Sequence, residues 1–168
     1  MNTRTFALIF GIVFLIVGAG GFIPGLTDMT ATPEAGLTMH SGYGHELGLF
    51  PVNTLHNIVH LLFGVWGVLA YRSYGGARTY FRAVAIIYGL LTILGLLPAT
   101  NTTFGLVPIY GNDVWLHALL ALVAAYFGWV NRDTAGDRAS AQSSSPSPPA
   151  MGRSLPAAWE CLQRAARS

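Results

Sequence analysis

The chain has no lysine, only one cysteine and few charged residues of either sign. Charged residues are 10% of its 168 residues, against about 25% in soluble globular domains, which argues against an ordinary water-soluble domain. The lone Cys161 excludes an intramolecular disulfide and a cysteine-based metal site. The formal net charge of +2 is too small for a surface that binds nucleic acid, so no nucleic-acid partner is expected.

Long apolar runs are what the chain does have. Crossing a bilayer takes about 20 mostly apolar residues. We predict four transmembrane helices, at about residues 5–24, 53–71, 80–97 and 113–130. A cleaved secretory signal is the alternative for the first run, because Arg4 precedes it and residues 18–20 (GAG) resemble a cleavage site. The apolar run continues through Ile23, which favours a retained helix and makes the lipid bilayer the expected partner.

The four runs form two similar pairs. Residues 48–52 (GLFPV) precede the second run, and residues 105–109 (GLVPI) precede the fourth. The first and third runs both end in Gly-x-x-Pro, at Pro24 and Pro98. We therefore predict an all-α fold, an integral membrane four-helix bundle built from two duplicated helical hairpins. Residues 1–131 would form this transmembrane domain.

The arginines give the bundle an orientation. With four spans, all of them fall on one side of the membrane: Arg4, Arg72, Arg78, Arg82, Arg132, Arg138, Arg153, Arg164 and Arg167. The positive-inside rule makes that side cytoplasmic, so both termini are predicted to be cytoplasmic and the protein to be multi-pass.

The connections are predicted from their composition. A glycine-rich outer loop at 25–50 is long enough to be functional or disordered. A short turn at 72–79 contains Gly75 and Gly76, and Asn112 is predicted to cap the fourth helix. Residues 132–168 include a Ser/Pro-rich stretch and are predicted to be a disordered cytoplasmic tail.

Polar side chains cluster at the outer ends of spans two and four. At 100° per residue, those of span two fall on one stripe about 100° wide. Polar side chains inside a membrane face a protein partner rather than lipid, so both helices should turn them towards the bundle interior. The candidate polar cluster is Asn53, His56, Asn57, His60, Asp113 and His117.

This cluster has three interpretations. Three imidazoles and a carboxylate suit a transition metal such as zinc, copper or iron, with His56, His60, His117 and Asp113 as ligands, and two axial histidines could instead hold a haem. The same groups could form a proton or small-solute path in an oligomer. The leading interpretation is a structural or accessory bundle in which they are interhelical hydrogen-bonding groups.

Two further expectations concern partners and catalysis. Small residues on the first span, Gly11 and Gly18, would be exposed and available for contact with a second copy of the chain. The outer side carries no recognisable nucleophile elbow and no paired carboxylates, which argues against an enzyme.

The run from Gly48 to Val65 contains the pattern Asn-x-x-His-Asn-x-x-His at the start of an apolar helix. It resembles the bacterial four-helix membrane proteins grouped as domain of unknown function 4383. Pro108, Asp113 and His117 fit the same pattern, and the resemblance covers roughly residues 4 to 131. It implies an integral protein of the bacterial cytoplasmic membrane, and it implies no activity.

Overall fold

The computed structural model describes residues 2–132. The predicted tail, 132–168, lies outside the described residues except for Arg132. The described part is mostly helical and contains four α-helices, as predicted. They are α1 (Thr3–Gly20), α2 (Thr54–Ala70), α3 (Tyr74–Leu96) and α4 (Asn112–Ala125), and α4 continues into a π-helical turn at Tyr126–Val130.

Three of the helical segments are long and apolar enough to cross a membrane: Thr3–Gly20, Tyr74–Leu96 and Asn112–Val130. The remaining helix, α2, is apolar but has only 17 residues. Many large apolar side chains on all four helices face outward, for example Leu62, which is 64% exposed, and Leu122, which is 71% exposed. The described surface is therefore apolar around the helices.

The helices pack as two hairpins, α1 with α2 and α3 with α4. Glycines let α1 and α2 approach until their backbones touch, since a Cβ on Gly11 would lie 2.6 Å from the backbone nitrogen of Val68. A Cβ on Gly18 would likewise meet the backbone oxygen of Asn57 at 2.9 Å. The expectation that Gly11 and Gly18 are exposed for contact with a second copy is therefore wrong, because α2 covers both.

An aromatic core joins the hairpins. Its largest buried members are Phe14, Tyr80, Phe81, Tyr88 and Phe127, and the ring of Phe81 lies 5.2 Å from that of Phe10 on α1. Near the end of the described chain, the Asn131 amide donates a 2.8 Å hydrogen bond to the Thr3 hydroxyl. The N-terminus of α1 therefore lies beside the end of the fourth helix.

The long loop after α1 contains a small antiparallel sheet, which an all-α fold does not include. Its strands are β1 (Thr27–Asp28), β2 (Gly44–Glu46) and β3 (Phe50–Val52), in the order β1-β2-β3. Gly44 pairs with Val52, and Thr27 pairs with Glu46. The loop is thus ordered rather than disordered, and β3 leads directly into α2. Strands of two or three residues are too short to show the alternation that identifies a strand in sequence.

Three helix ends differ from the predicted positions. The α1 helix ends at Gly20 rather than near Pro24. The α3 helix begins at Tyr74, because the Ser73 side chain accepts a hydrogen bond from the Gly76 amide and caps it. Gly75 and Gly76 therefore lie inside a helix and not in a turn. Asn112 does not cap α4, since the cap is Gly111, with a φ of 61° and no side-chain bond.

Candidate metal centre

The entry into α2 is fixed by Asn53, a fully buried residue. Its side-chain oxygen accepts a 2.9 Å hydrogen bond from the His56 amide and caps the helix. Its amide nitrogen donates to the carbonyls of Met39, at 2.9 Å, and Leu106, at 2.8 Å. Asn53 therefore ties both long loops to the first turn of α2, which sets the position of His56.

Three histidines meet next to this point. His56 and His60 lie one turn apart on α2, and His117 lies on α4. One nitrogen from each ring falls in a group whose members are all within 4.8 Å of one another. The three side chains are buried, with exposed fractions of 2%, 6% and 2%. The two hairpins thus bring together the three histidines predicted from sequence.

His117 is held in a defined orientation. Its Nδ1 donates a 2.8 Å hydrogen bond to the Asp113 carbonyl and lies 3.3 Å from the Asp113 carboxylate. The Tyr88 ring stacks on it, 4.6 Å away and tilted by 18°. Because a carbonyl oxygen only accepts hydrogen bonds, Nδ1 carries the proton, and Nε2 of the neutral ring keeps a free lone pair. This is the usual arrangement of a metal-ligating histidine.

Asp113 itself lies against His117 rather than in the group of three. Among the residues the structure describes, the compact set of ligand-type atoms contains the three histidines and no carboxylate. Asp113 was predicted as a fourth ligand, whereas its position here suits the orientation of the His117 ring.

Several buried polar atoms on α2 lack hydrogen-bond partners among the described residues. Within residues 2–132, neither ring nitrogen of His56 and neither polar side-chain atom of Asn57 makes a hydrogen bond, and Nδ1 of His60 makes none. The Pro51 backbone is close to the His56 ring but does not complete a hydrogen bond with it. A buried polar group without a partner costs about 1–3 kcal/mol. Such a concentration around one point is typical of a ligand site.

Two cavities of about 200 Å³ flank the histidines. One lies between α1 and α4, where Ile9, Val13 and Leu116 line it together with His60 and His117. The other is lined by all three histidines and by apolar residues of α2, α3 and the loop before α4, among them Ile87 and Val107. Each cavity is smaller than the roughly 300–1,000 Å³ of typical cofactor pockets. The space therefore suits a single ion better than a haem.

Glu46 is a buried carboxylate near this site that the sequence did not single out. It lies on β2, is 7% exposed, and reaches over the end of α1, where a Cβ on Gly20 would lie 2.5 Å from its Oε1. Burial raises the pKa of Glu46 to about 7, and the nearby negative charge of Asp113 adds to the effect. A three-residue strand gives no pattern from which this burial could have been predicted.

The fold and the site together indicate a class of protein. The chain contains a mostly helical domain of four apolar helices, compatible with a membrane protein, with buried histidines between its hairpins. Residues 4–130 match the family model described as Domain of unknown function (DUF4383). The chain belongs to that family, as the resemblance in its sequence indicated. No curated protein and no solved structure matches this chain.

Proposed function

We propose that the protein is a multi-pass protein of the bacterial cytoplasmic membrane that binds one transition-metal ion at His56, His60 and His117. The apolar outward faces of the helices and the three segments long enough to span a bilayer support the membrane setting. Metal binding is supported by the three buried imidazoles and their free nitrogens. Imidazole nitrogen suits zinc, copper and iron.

The described arginines support the predicted orientation, with both termini in the cytoplasm. Arg4 donates a 2.8 Å hydrogen bond to the Tyr71 carbonyl at the end of α2. Arg78 and Arg82 both donate to the Gly128 carbonyl in the π-helical turn. These bonds gather the arginines at the end of the bundle away from the sheet, and positive residues accumulate on the cytoplasmic side.

One observation carries the metal proposal: His56 is buried and both of its ring nitrogens are unpaired. Two histidine nitrogens bound to one tetrahedral zinc ion lie about 3.3 Å apart, since each Zn–N bond is about 2.0–2.1 Å. A group that fits within 4.8 Å would reach that spacing if the side chains rotated to bring the nitrogens about 1.5 Å closer. Three ligands leave a fourth coordination position for water or another small ligand.

A structural or accessory bundle is the second candidate, and Asn53 favours it. Two of its hydrogen bonds join α2 to the two long loops, and the third caps α2, as expected of a polar residue that holds a bundle together. The side chains of His56 and Asn57 make no such bonds with the described residues, so they do not fit that role. Transport of a proton or small solute by an oligomer remains a prediction from sequence.

Elemental analysis of the detergent-purified protein tests the proposal. We expect near-stoichiometric zinc, copper or iron in the unmodified protein and in the control His45→Ala, whose histidine lies in β2 outside the group of three. The double variant His56→Ala/His117→Ala should contain none. Metal absent from all three proteins would overturn the metal proposal, and a lowered melting temperature in the double variant would then favour the structural role.

A further inference from the structure

A metal ion needs a way into a site that is almost fully buried. The two sides from which it could approach the three histidines differ in polarity. The cavity between α1 and α4 is lined by apolar side chains such as Ile9, Val13 and Leu116. Moving an ion out of water into an apolar space without compensating ligands carries a large free-energy penalty. A hydrated cation therefore has no favourable path along that side.

The side under the sheet is different, because two oxygen-bearing side chains converge there on the end of α1. Glu46 reaches down from β2 to Gly20, and the Asn57 side chain lies against Gly21. A Cβ on Gly21 would lie only 2.2 Å from Asn57 Oδ1. The two consecutive glycines therefore provide the room for these side chains, which larger residues at the same positions would fill.

Asn57 continues from this point to the metal centre. It lies three residues before His60, so these two side chains are neighbours on one face of α2, while His56 points about 100° away from Asn57. Asn57 is fully buried, and its oxygen and nitrogen have no hydrogen-bond partner among the described residues. A fully buried amide without a partner in the described residues lies here beside His60 and at the end of α1 that Glu46 also contacts. Such an amide indicates a place where something polar binds.

We propose that Glu46 and Asn57 form the entrance through which a divalent metal ion reaches His56, His60 and His117 from the sheet side. The inference rests on the proposed function. Glu46 attracts the cation at the edge of the buried region, and the Asn57 oxygen replaces one of its hydration waters on the way. Both residues act on the rate of entry and release, while the histidines determine the affinity.

The rate of Co²⁺ binding to the metal-free protein in detergent tests this inference. It is followed by the visible absorbance of the ion in stopped flow, at a pH above the Glu46 pKa of about 7, where the carboxyl is ionised. We expect Glu46→Gln to slow binding and release by a similar factor of about tenfold or more, the scale on which local charge changes on-rates, with an unchanged Kd. Asn57→Leu, of similar size, should have the same type of effect. The matched control Glu34→Gln, at an exposed residue of the same loop, should bind at the unmodified rate.

Salt provides a second readout. Binding to the unmodified protein should slow as ionic strength rises, because salt screens the attraction to Glu46, and Glu46→Gln should lose most of this dependence. Because Glu46→Gln changes the charge and not the shape, it tests the inference even if Asn57→Leu fails to fold.

Three results would overturn the inference. Unchanged rates of Co²⁺ binding and release in Glu46→Gln would contradict the proposed entrance but not the proposed metal site. A weaker Kd caused by faster release alone would make these residues ligands instead. Failure of the unmodified protein to bind Co²⁺ would overturn the proposed function together with the entrance.

Discussion

Each hairpin has a histidine near the start of its second helix, His56 in α2 and His117 in α4, and the two rings are held in different ways. In the α3–α4 hairpin, His117 is held by Asp113 and stacked on Tyr88. In the α1–α2 hairpin, the His56 ring makes no hydrogen bond with any residue that the structure describes, and the Asn53 cap binds the His56 backbone amide. One hairpin orients its ring through the side chain, and the other positions its ring through the helix.

The two hairpins also differ in how closely their helices pack. The α1–α2 contact is a glycine contact in which backbones touch, at Gly11, Gly64 and Gly67. In the second hairpin, a Cβ on Gly95 would lie 2.6 Å from the Ile109 carbonyl in the loop before α4. A Cβ on Gly128 would lie 3.2 Å from the Arg82 backbone nitrogen on α3. The two hairpins thus contribute differently: the first is closely packed and supplies most of the ligand-type atoms without a partner in the described residues, and the second supplies an oriented ligand and much of the aromatic core.

The largest expected loss of stability comes from a substitution in the α1–α2 contact. Gly11→Leu places a side chain where the α2 backbone lies 2.6 Å from a Cβ. Because a helix backbone cannot yield as a side chain does, we expect a loss of about 4 kcal/mol or more of stability, or no folded protein. Urea unfolding in detergent, followed by circular dichroism, measures it.

The matched control is Gly89→Leu on α3, where an added Cβ meets nothing within 4 Å. Leucine is a better helix former than glycine by roughly 0.5–1 kcal/mol, so this variant should be unchanged or slightly more stable. Equal destabilisation of both variants would contradict the asymmetry between the hairpins.

The next effect compares the two asparagines at the starts of α2 and α4. Asn53→Ala removes a helix cap, worth about 1 kcal/mol, and leaves two carbonyls without their donor. We expect a total loss of about 2–3 kcal/mol. Asn112 is exposed and caps nothing, so Asn112→Ala should stay within about 0.5 kcal/mol. Thermal unfolding of both variants side by side measures these losses of stability. A similar loss in each variant would show that the two asparagines contribute equally.

The smallest expected effect is on metal affinity, and it tests whether His117 depends on Asp113 for its orientation. Asp113→Asn removes the carboxylate charge 3.3 Å from His117 Nδ1 but keeps the backbone carbonyl that accepts its hydrogen bond. We therefore expect metal affinity to fall by about tenfold, the lower end of the effect of losing an orienting partner. A Co²⁺ titration of the metal-free variant measures this, with Asp28→Asn in β1 as a control that should not change affinity. An unchanged Kd in Asp113→Asn would mean that the protein holds His117 in place without the carboxylate.

Sequence predicted the helices well, because long apolar runs and their periodicity extend over many residues. It also placed His56, His60 and His117 on facing stripes, since helical spacing of 100° per residue is regular. It missed Glu46, Tyr88 as the ring stacked on His117, and the small sheet. These features depend on short strands and on contacts between distant parts of the chain, which leave no local pattern.

The errors at helix ends have a similar origin. Gly75 and Gly76 suggest a turn by composition, yet the Ser73 cap starts a helix that includes both. Gly11 and Gly18 suggest a contact surface, and the structure shows that α2 occupies it. A stripe of small residues predicts close packing but does not tell which helix packs there.

The unequal lengths of the helices bear on the surrounding lipid. The α1 and α2 helices have 18 and 17 residues, and α3 has 23. At 1.5 Å per residue they are about 27, 25 and 34 Å long, against a hydrocarbon core of about 30 Å. In the proposed setting, this hydrophobic mismatch would thin the bilayer beside the first hairpin and make α3 tilt. The protein would then partition into thinner patches of membrane, whatever its metal content.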